Sequence, residues 1–311
     1  MTSPSKITLR DPYGRGVETL RISVTQRCDF NCLYCHKEGE MAPRRELTVE
    51  EIGRIAAVAS SLGISRFKIT GGEPLLRRDI AEIIQAISPH AEEVSMTTNG
   101  SHLEAMAPRL VEAGLARVNV SLPSLREEIF KLITGVNALK RVLRGVEAAL
   151  DMGLTPLKLN VVLLRGLNSG ELPQLLEYAR GIGATLQLIE LQPLRRGTKI
   201  WKRLHLNLSS LEELFKSEAV RVEERGEQNR RRYHLRNGAV VEVVRGVENP
   251  EFCLHCHRLR LTSDGYLKPC LMRDDNLVDL LPLLSGNPDD GLIEAFKEAI
   301  RRREPYWVRR R

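Results

Sequence analysis

Hydrophobic and polar positions follow two different periods in the first two thirds of the chain. Six short runs alternate apolar and polar side chains and are rich in strand-forming residues, which predicts strands. Longer stretches between them, such as residues 48–63 and 139–153, repeat apolar residues every three or four positions and predict helices. The predicted strands are LRISVT (20–25), RFKIT (66–70), EVSMTT (93–98), RVNVS (117–121), LKLNVVLL (157–164) and TLQLIEL (185–191).

Strands that are separated by helices predict a parallel α/β sheet. Four predicted helices end at a glycine shortly before the next strand, where a left-handed residue would release the chain: Gly63, Gly114, Gly153 and Gly183. The regular units predict a partial (β/α)6 barrel of the TIM type over residues 1–200. In such a fold the working loops follow the carboxyl ends of the strands.

The pattern changes after Leu191. Residues 208–216 have a helical period, and three short segments (220–225, 233–236 and 240–244) are predicted strands. We therefore expect a smaller α+β extension over residues 201–311, attached to the barrel as a second layer.

Composition adds little to this fold but limits the function. In a chain of 311 residues, 42% hydrophobic and 28% charged residues are typical of a soluble globular protein. The amino terminus lacks the apolar core of a signal peptide, and no run approaches the ~18 apolar residues of a membrane span. We therefore expect a cytoplasmic protein without a membrane partner. In that reducing compartment, grouped cysteines favour metal ligands or catalytic thiols over disulfides.

The net charge is +7, and arginines are concentrated at Arg230–Arg232 and at the carboxyl end. Such runs are typical of a solvated basic face. They also suit an anionic partner, either nucleic acid or a phosphorylated small molecule. Composition does not decide between these interpretations.

The six cysteines form two sets of three. The first set, in CDFNCLYC after the first strand, is Cys28, Cys32 and Cys35; the second set, in CLHCHRLRLTSDGYLKPC, is Cys253, Cys256 and Cys270. A structural zinc site requires four ligands, so zinc would have to combine both sets and leave two thiols spare. Three thiolates fill three iron corners of a [4Fe-4S] cluster and leave the fourth iron free for another ligand. The spacing favours the iron–sulfur interpretation.

Further polar motifs follow the other strands. GGEP (71–74) follows the second predicted strand, TTNG (97–100) lies at the end of the third, and Ser121 ends the fourth. Because the carboxyl ends of parallel strands meet at one edge, we expect these motifs to lie near CDFNCLYC.

Together these motifs resemble the radical S-adenosylmethionine (SAM) superfamily. The segments LRISVTQRCDFNCLYC, KITGGEPLLRRD, TTNG, VNVSL and CxxCxRLRLTxDGxLKPCL resemble, within it, the GTP 3',8-cyclase family of molybdenum cofactor biosynthesis. The resemblance implies two [4Fe-4S] clusters, one binding SAM and one binding the guanine base of GTP. It also implies that a 5'-deoxyadenosyl radical removes a hydrogen from ribose C3', after which C3' bonds to guanine C8.

The resemblance also assigns residues and partners. Cys28, Cys32 and Cys35 would be catalytic, because they bind the cluster that cleaves SAM. It implies GTP as substrate, an unidentified electron donor and the downstream cyclic pyranopterin synthase; it allows a homodimer and gives no reason to expect nucleic acid. The remaining implied contacts are Tyr34, Gly72, Ser121 and Gln192 for SAM, and Arg21, Lys68, Thr97, Lys158, Arg258 and Arg260 for GTP.

The residues alone leave some of these roles open. Lysine is common on edge strands, which would also explain Lys68 and Lys158. Arginine is common on protein surfaces, which would also explain Arg21. Arg258 and Arg260 are two positions apart on a predicted strand, so their side chains should face the same side.

The chain departs from the family pattern at several positions. Gln187 stands in place of a basic residue and Gln192 in place of a methionine associated with SAM. Family members often end in two glycines that enter the active site, whereas this chain ends in Val308–Arg311. We expect that bulky, cationic tail to lie at the cavity mouth or on the surface, where it could attract a triphosphate.

Two other function classes fit part of the sequence. A peptide-modifying radical SAM maturase also uses an additional cluster, but it normally has more than three cysteines in that region. A metal-stabilised nucleic-acid-binding protein would use the basic runs, but aromatic residues for base stacking make up only 5% of the chain.

Overall fold

The computed structural model describes residues 9–40, 44–286 and 288–307. Within these ranges the strands join into one sheet. Their bounds are β1 Thr19–Ser23, β2 Arg66–Thr70, β3 Glu93–Thr98, β4 Arg117–Ser121, β5 Lys158–Leu163, β6 Thr185–Glu190, β7 Ala219–Arg225, β8 Arg230–Leu235, β9 Val240–Val244, β10 Arg258–Leu261, β11 Tyr266–Lys268 and β12 Val278–Asp279.

The helices follow the strands as the sequence pattern predicts. The first begins at a capping box in which Thr48 and Glu51 bond each other's backbone N–H groups. Their bounds are α1 Val49–Ser61, α2 Ile80–Ile87, α3 Leu103–Glu112, α4 Glu127–Thr134, α5 Leu139–Asp151, α6 Leu172–Gly181, α7 Arg196–Leu204, α8 Ser209–Glu218, α9 Pro250–Leu254, α10 Leu281–Leu284 and α11 Asp290–Arg301.

The sheet order is β12-β11-β10-β1-β2-β3-β4-β5-β6-β9-β8-β7. Strands β1 to β6 are parallel and adjacent in chain order, which confirms the predicted partial barrel. The extension is confirmed as well, but it does not form a separate layer. Its strands β9 and β10 add one parallel strand to each edge of the six, and the antiparallel β7, β8, β11 and β12 continue the sheet outward.

Alternation along each strand separates the core from a polar interior. In β1, Leu20 and Ile22 are fully buried in the apolar core, whereas Arg21 between them lines a cavity. In β2, Phe67 and Ile69 likewise pack in the core on either side of Lys68, which lines the same cavity. The period of two that predicts the strands therefore also directs the polar side chains into the barrel.

Glycines end helices where the sequence predicts them. Gly63, Gly114, Gly153 and Gly183 have φ of +89°, +102°, +74° and +66°. A side chain is disfavoured at such angles, so glycine lets each helix stop and turn into the next strand.

The fold does not test the predictions for the carboxyl-terminal tail and for the domain boundary. The tail Val308–Arg311 lies outside the described residues. The division of the chain at residue 200 stays a prediction.

In the described ranges, no helix combines the length and the apolar character that crossing a membrane requires.

Candidate functional site

A cavity of about 410 Å³ occupies the inside of the curved sheet. Every residue that the sequence suggests for the site lines this cavity, including both sets of cysteines. The set is Arg21, Cys28, Cys32, Tyr34, Cys35, Lys68, Gly72, Thr97, Ser121, Lys158, Gln192, Cys253, Cys256, Arg258, Arg260 and Cys270.

The loop of the first cysteine set is held by the GGEP segment. The Gly72 N–H donates to the Thr25 carbonyl at 2.6 Å, and the Glu73 N–H donates to the Arg27 carbonyl at 2.7 Å. A Cβ atom at Gly72 would lie 2.2 Å from the Arg27 oxygen, which is too close for any side chain. Glycine is therefore required here by the packing of the loop.

Helix α4 holds the same loop from the other side. The N–H groups of Asn31 and Leu33 donate to the carbonyls of Thr134 and Ile133 at 2.8 and 2.9 Å. These carbonyls belong to the last turn of the helix, which has no further helical N–H for them. The loop thus completes the hydrogen bonding of the helix end while its cysteines face the cavity.

Burial disfavours the thiolate form of two cysteines of the first set, Cys28 and Cys32. Burial raises the pKa of Cys28 to about 11. Burial, with the nearby Cys35 and Cys28, raises the pKa of Cys32 to about 12. Because metals bind thiolates, any metal at this site must displace these protons.

The second set of thiols is held by two buried arginines. Arg15 Nη1 donates to the Cys253 carbonyl at 2.7 Å, and Arg303 Nη2 donates to the Cys256 carbonyl. Both arginines pair with buried Asp11, at 2.8 Å from Arg15 Nε and 3.1 Å from Arg303 Nη1. We call Asp11, Arg15 and Arg303 the arginine anchor. It joins the amino-terminal and carboxyl-terminal parts of the chain at the second thiol site.

The last described residues also line the cavity, which sequence reasoning missed. Arg303 to Trp307 belong to its wall, and Arg303 is 1% exposed. The pKa of Cys253 is raised by burial, but backbone hydrogen bonds to Trp307 and Tyr306 oppose that rise. The carboxyl-terminal segment therefore reaches a cysteine of the second set even before the tail at 308–311.

A buried lysine links the two thiol sites. Lys268 Nζ donates to the carbonyl of Gly39, in the segment after the first set, at 3.1 Å. It also donates to the Arg273 carbonyl, three residues after Cys270, at 2.6 Å. One side chain, 1% exposed, thus bridges the segments that follow the two sets.

The cavity wall is strongly basic. Its lining contains more than twice as many lysine and arginine residues as glutamates. Burial lowers the pKa of Lys68 well below its usual value, and the charges of Arg21 and Arg117 add to that effect. Lys68 and Lys158 are therefore interior residues rather than edge lysines. Concentrated positive charge in a buried cavity favours an anionic ligand.

Glu38 fixes one of these cations. Its carboxylate lies 2.7 Å from Arg21 Nη2 and accepts the Thr70 hydroxyl at 3.0 Å. Burial alone would raise the pKa of Glu38, but Arg21 and His36 hold it at about 2. The carboxylate stays charged and sets the direction of the Arg21 side chain.

The described chain matches two families in sequence. The profile of the radical SAM superfamily matches residues 22–179, and that of Molybdenum Cofactor Synthesis C matches residues 184–308. A "Probable GTP 3',8-cyclase" of Pyrococcus abyssi is 47% identical over 306 residues, covering 96% of this chain and 100% of the relative. A protein with the same name in Methanocaldococcus jannaschii is 45% identical over 302 residues, covering 96% and 99%.

The chain belongs to the radical SAM superfamily. It also belongs to the family of these relatives, so the resemblance that the motifs indicate is confirmed. Among solved structures, Streptococcus suis SuiB bound to S-adenosylmethionine superposes with a TM-score of 0.67 at 18% identity, covering 90% of this chain and 68% of SuiB. At that identity the likeness shows the radical SAM fold alone.

The donor sets fit the cluster that the superfamily implies. A radical SAM protein binds a [4Fe-4S] cluster through three thiolates, and Cys28, Cys32 and Cys35 are three free thiols facing one cavity. Among the described residues, no three side chains of Cys, His, Asp or Glu are close enough together for a single metal ion. A four-iron cluster requires wider spacing, because each thiolate binds a different iron.

The two glutamines that depart from the family pattern both lie in the cavity wall. Gln187 is buried and donates from Nε2 to Glu242 Oε1 at 3.0 Å. Gln192 Nε2 donates to the Glu190 carbonyl at 3.4 Å. Both glutamines therefore occupy the expected wall positions but bond to the protein itself.

The histidines next to the cysteines differ in placement. His36 lines the cavity, and burial lowers its pKa. His255 and His257 lie outside the lining, where His257 pairs with Glu18 at 3.3 Å.

Proposed function

We propose that the chain is a GTP 3',8-cyclase, a radical SAM lyase that converts GTP to (8S)-3',8-cyclo-7,8-dihydroguanosine 5'-triphosphate in molybdenum cofactor biosynthesis. The observation that carries this proposal is that one basic cavity is lined by both sets of three cysteines. The match to Molybdenum Cofactor Synthesis C and the names of the relatives support the same reaction.

Cys28, Cys32 and Cys35 are the residues that would hold the first [4Fe-4S] cluster. When bound, that cluster supplies the electron that cleaves SAM to methionine and a 5'-deoxyadenosyl radical. Four residues of the wall would hold SAM beside it: Tyr34, Gly72, Ser121 and Gln192. Tyr34 is half-buried next to Cys32, and burial raises the pKa of its hydroxyl, so the hydroxyl stays protonated across physiological pH.

Cys253, Cys256 and Cys270 would hold a second [4Fe-4S] cluster. Three thiolates leave one iron open, and a nitrogen or oxygen of the guanine base would bind there. Because both sets face the same cavity, SAM and GTP would be held with the ribose near the radical. The 5'-deoxyadenosyl radical would take the hydrogen atom from ribose C3' and become 5'-deoxyadenosine. The C3' radical would then add to guanine C8, and one electron from an external donor and one proton would complete the 7,8-dihydro ring.

The triphosphate would lie against the basic wall. Arginine offers several coplanar donors to phosphate oxygens, and lysine offers a mobile point charge. Arg21, already directed by Glu38, would therefore bind in a fixed orientation. The full set of GTP contacts would be Arg21, Lys68, Thr97, Lys158, Arg258 and Arg260.

The partners follow from the chemistry. Reductive cleavage requires an external electron donor, and the cyclic nucleotide must pass to an enzyme that completes the pterin, the cyclic pyranopterin synthase. We place the reaction in the cytoplasm, where GTP and reduced iron–sulfur clusters are available. A homodimer is compatible with this scheme and is not required by it.

Anaerobic reconstitution tests the proposal. The protein, loaded with iron and sulfide, should convert GTP in the presence of SAM and dithionite, and mass spectrometry should detect 5'-deoxyadenosine and a cyclic product of the same mass as GTP. Formation of 5'-deoxyadenosine with no cyclic nucleotide, but with a modified peptide in a parallel reaction, would identify a peptide maturase instead. Tight binding of nucleic acid without any SAM cleavage would identify a binding protein.

A further inference from the structure

Strand β8 places an arginine in the cavity that none of the sequence motifs includes. Arg230 lines the cavity and is 9% exposed. Its Nη1 lies 2.6 Å from Glu242 Oε1, and its Nε donates to the Glu227 carbonyl at 3.2 Å. Its third nitrogen, Nη2, takes part in neither contact. The guanidinium is therefore fixed on one side, and Nη2 remains to donate to a ligand.

Glu242 is the residue that organises this part of the wall. It is fully buried, and its carboxylate contacts Arg230, the Lys158 ammonium and the Gln187 amide. Burial alone would raise the pKa of Glu242, but Arg230 and Lys158 hold it at about 2. One negative charge is thus shared by two cations, and the group retains a net positive charge.

Neighbouring arginines add to that excess. Burial lowers the pKa of Arg230, and although Glu242 opposes this, the Arg258 charge lowers it further. Arg258 is itself one of the residues expected to bind GTP, so Arg230 lies within electrostatic range of the expected phosphate site. Cations that are buried together and repel each other are stabilised when an anion binds among them.

This excess of positive charge lies beside Gln187, a neutral residue of the cavity wall. Gln187 and Glu242 are paired residues of β6 and β9, and the family has a basic residue where this chain has Gln187. The neutral amide at position 187 leaves the cavity wall with one positive charge fewer than a basic residue would give. Arg230 bonds the same carboxylate oxygen as Gln187, so its cation lies beside the place where one is missing.

We propose that Arg230 binds the triphosphate of GTP, and that Glu242 positions Arg230 and Lys158 for this contact. This inference rests on the proposed function, because it takes GTP as the ligand. Arg230 would supply the phosphate contact that Gln187 cannot make. It would therefore act on the triphosphate and not on the base or ribose.

The test compares Arg230→Ala with Arg231→Ala in the reconstituted protein. Arg231 is the adjacent arginine, lies outside the cavity lining and contacts Glu224 at 3.7 Å, so its removal subtracts the same charge from the other face of β8. Equilibrium dialysis would measure the Kd of GTP and of GMP for each variant. We expect Arg230→Ala to weaken GTP about 10- to 100-fold and GMP less than about threefold, because a charge-assisted hydrogen bond to phosphate is lost. Arg231→Ala should change both by less than about twofold.

A rescue variant separates phosphate binding from a structural role. Adding Gln187→Arg to Arg230→Ala places a cation back beside Glu242, and GTP affinity should recover while GMP affinity stays unchanged. If Arg230→Ala does not fold, Arg230→Gln keeps most of its volume and should show the same selective loss. Equal losses of GTP and GMP affinity, or equal effects of the Arg230 and Arg231 variants, would refute the inference.

The same measurements distinguish this inference from the proposed function. If the unmodified protein binds no GTP, the proposed function fails and Arg230 has no triphosphate to bind. If it binds and cyclises GTP but the Arg230 variants behave like the Arg231 variant, the proposed function stands and the role of Arg230 is wrong.

Discussion

The two thiol sites of this protein are built in different ways. The loop of Cys28, Cys32 and Cys35 is held by backbone hydrogen bonds from the segment after β2 and from the end of α4. The second site is held by the arginine anchor, whose side chains reach its carbonyls from both ends of the chain. The first site thus depends on backbone hydrogen bonds to the ends of a neighbouring strand and helix, and the second depends on buried charged side chains.

This difference predicts that each site can be damaged without the other. The largest effects should follow replacement of the thiols themselves. Cys28→Ala should abolish SAM cleavage, because no cluster then delivers an electron to the sulfonium. Cys270→Ala should retain SAM cleavage that is not coupled to GTP but should remove cyclisation of GTP, because the guanine base would lose the iron that we propose binds it.

Metal analysis checks this pair independently of activity. The unmodified protein should contain about eight iron and eight sulfide per chain, and removal of all three cysteines of either set should leave about four of each. If a Cys270→Ala protein with an intact first cluster cyclised GTP at the native rate, the second set would not bind the substrate. Zinc without sulfide in the unmodified protein would refute both clusters.

The arginine anchor should be the next most sensitive feature. Arg303→Ala leaves the buried Asp11 with one partner fewer and frees the Cys256 carbonyl, so we expect a loss of about 3–5 kcal/mol of unfolding free energy. The second cluster should be lost first, with SAM cleavage retained. Chemical denaturation and iron content measure the two effects.

Arg302→Ala is the matched control. Its side chain is 44% exposed, pairs with Glu298 on the surface and donates to the Leu277 carbonyl at 2.8 Å, so the substitution removes the same charge without leaving a buried carboxylate short of a partner, and stability should change by no more than about 1 kcal/mol. Equal losses of stability and iron in the two variants would show that buried charge does not hold the second site.

Gly72→Ala should have a smaller effect, confined to the first site. The added Cβ would lie 2.2 Å from the Arg27 carbonyl oxygen, so the GGEP segment and the cluster loop must move apart. We expect a loss of about 1–3 kcal/mol and weaker SAM cleavage, with four irons still bound at the second site. Gly170→Ala meets no atom within 4 Å and should be neutral. A Gly72→Ala protein with normal SAM cleavage would show that the loop tolerates displacement.

The contrast between the two thiol sites also explains which features the sequence predicts and which it does not. Strands β1 to β6 and the first thiol loop follow each other along the chain, so local period and motif spacing predict them. The alternation that buries Leu20 and Ile22 also turns Arg21 and Lys68 inward, but only the fold shows that this interior is a basic cavity.

Features that depend on distant contacts gave no local signal. Arg303 pairs with Asp11 and donates to the Cys256 carbonyl, and no sequence pattern near residue 303 indicates either partner. The sequence predicts strands at β9 and β10, but nothing in these short segments specifies pairing with β6 and β1. Arg230 belongs to a run of three arginines, and composition does not decide between a solvated face and an anionic partner for that run. The fold shows that Arg230 lines the cavity beside Glu242, whereas Arg231 lies outside the lining.

The smallest expected effect concerns a cation of the cavity wall rather than either thiol site. Burial lowers the pKa of Lys158 to about 8 even though Glu242 opposes the shift. A bound triphosphate would favour the charged form and raise that pKa, so GTP affinity should be full below pH 8 and fall as the pH rises through it. We expect a loss of about 3- to 10-fold in GTP affinity between pH 7 and pH 9 in the unmodified protein. Lys158→Arg keeps its charge throughout this range, so its GTP affinity should fall less with rising pH than that of the unmodified protein. An equal fall in both proteins would refute Lys158 as the source of the pH dependence.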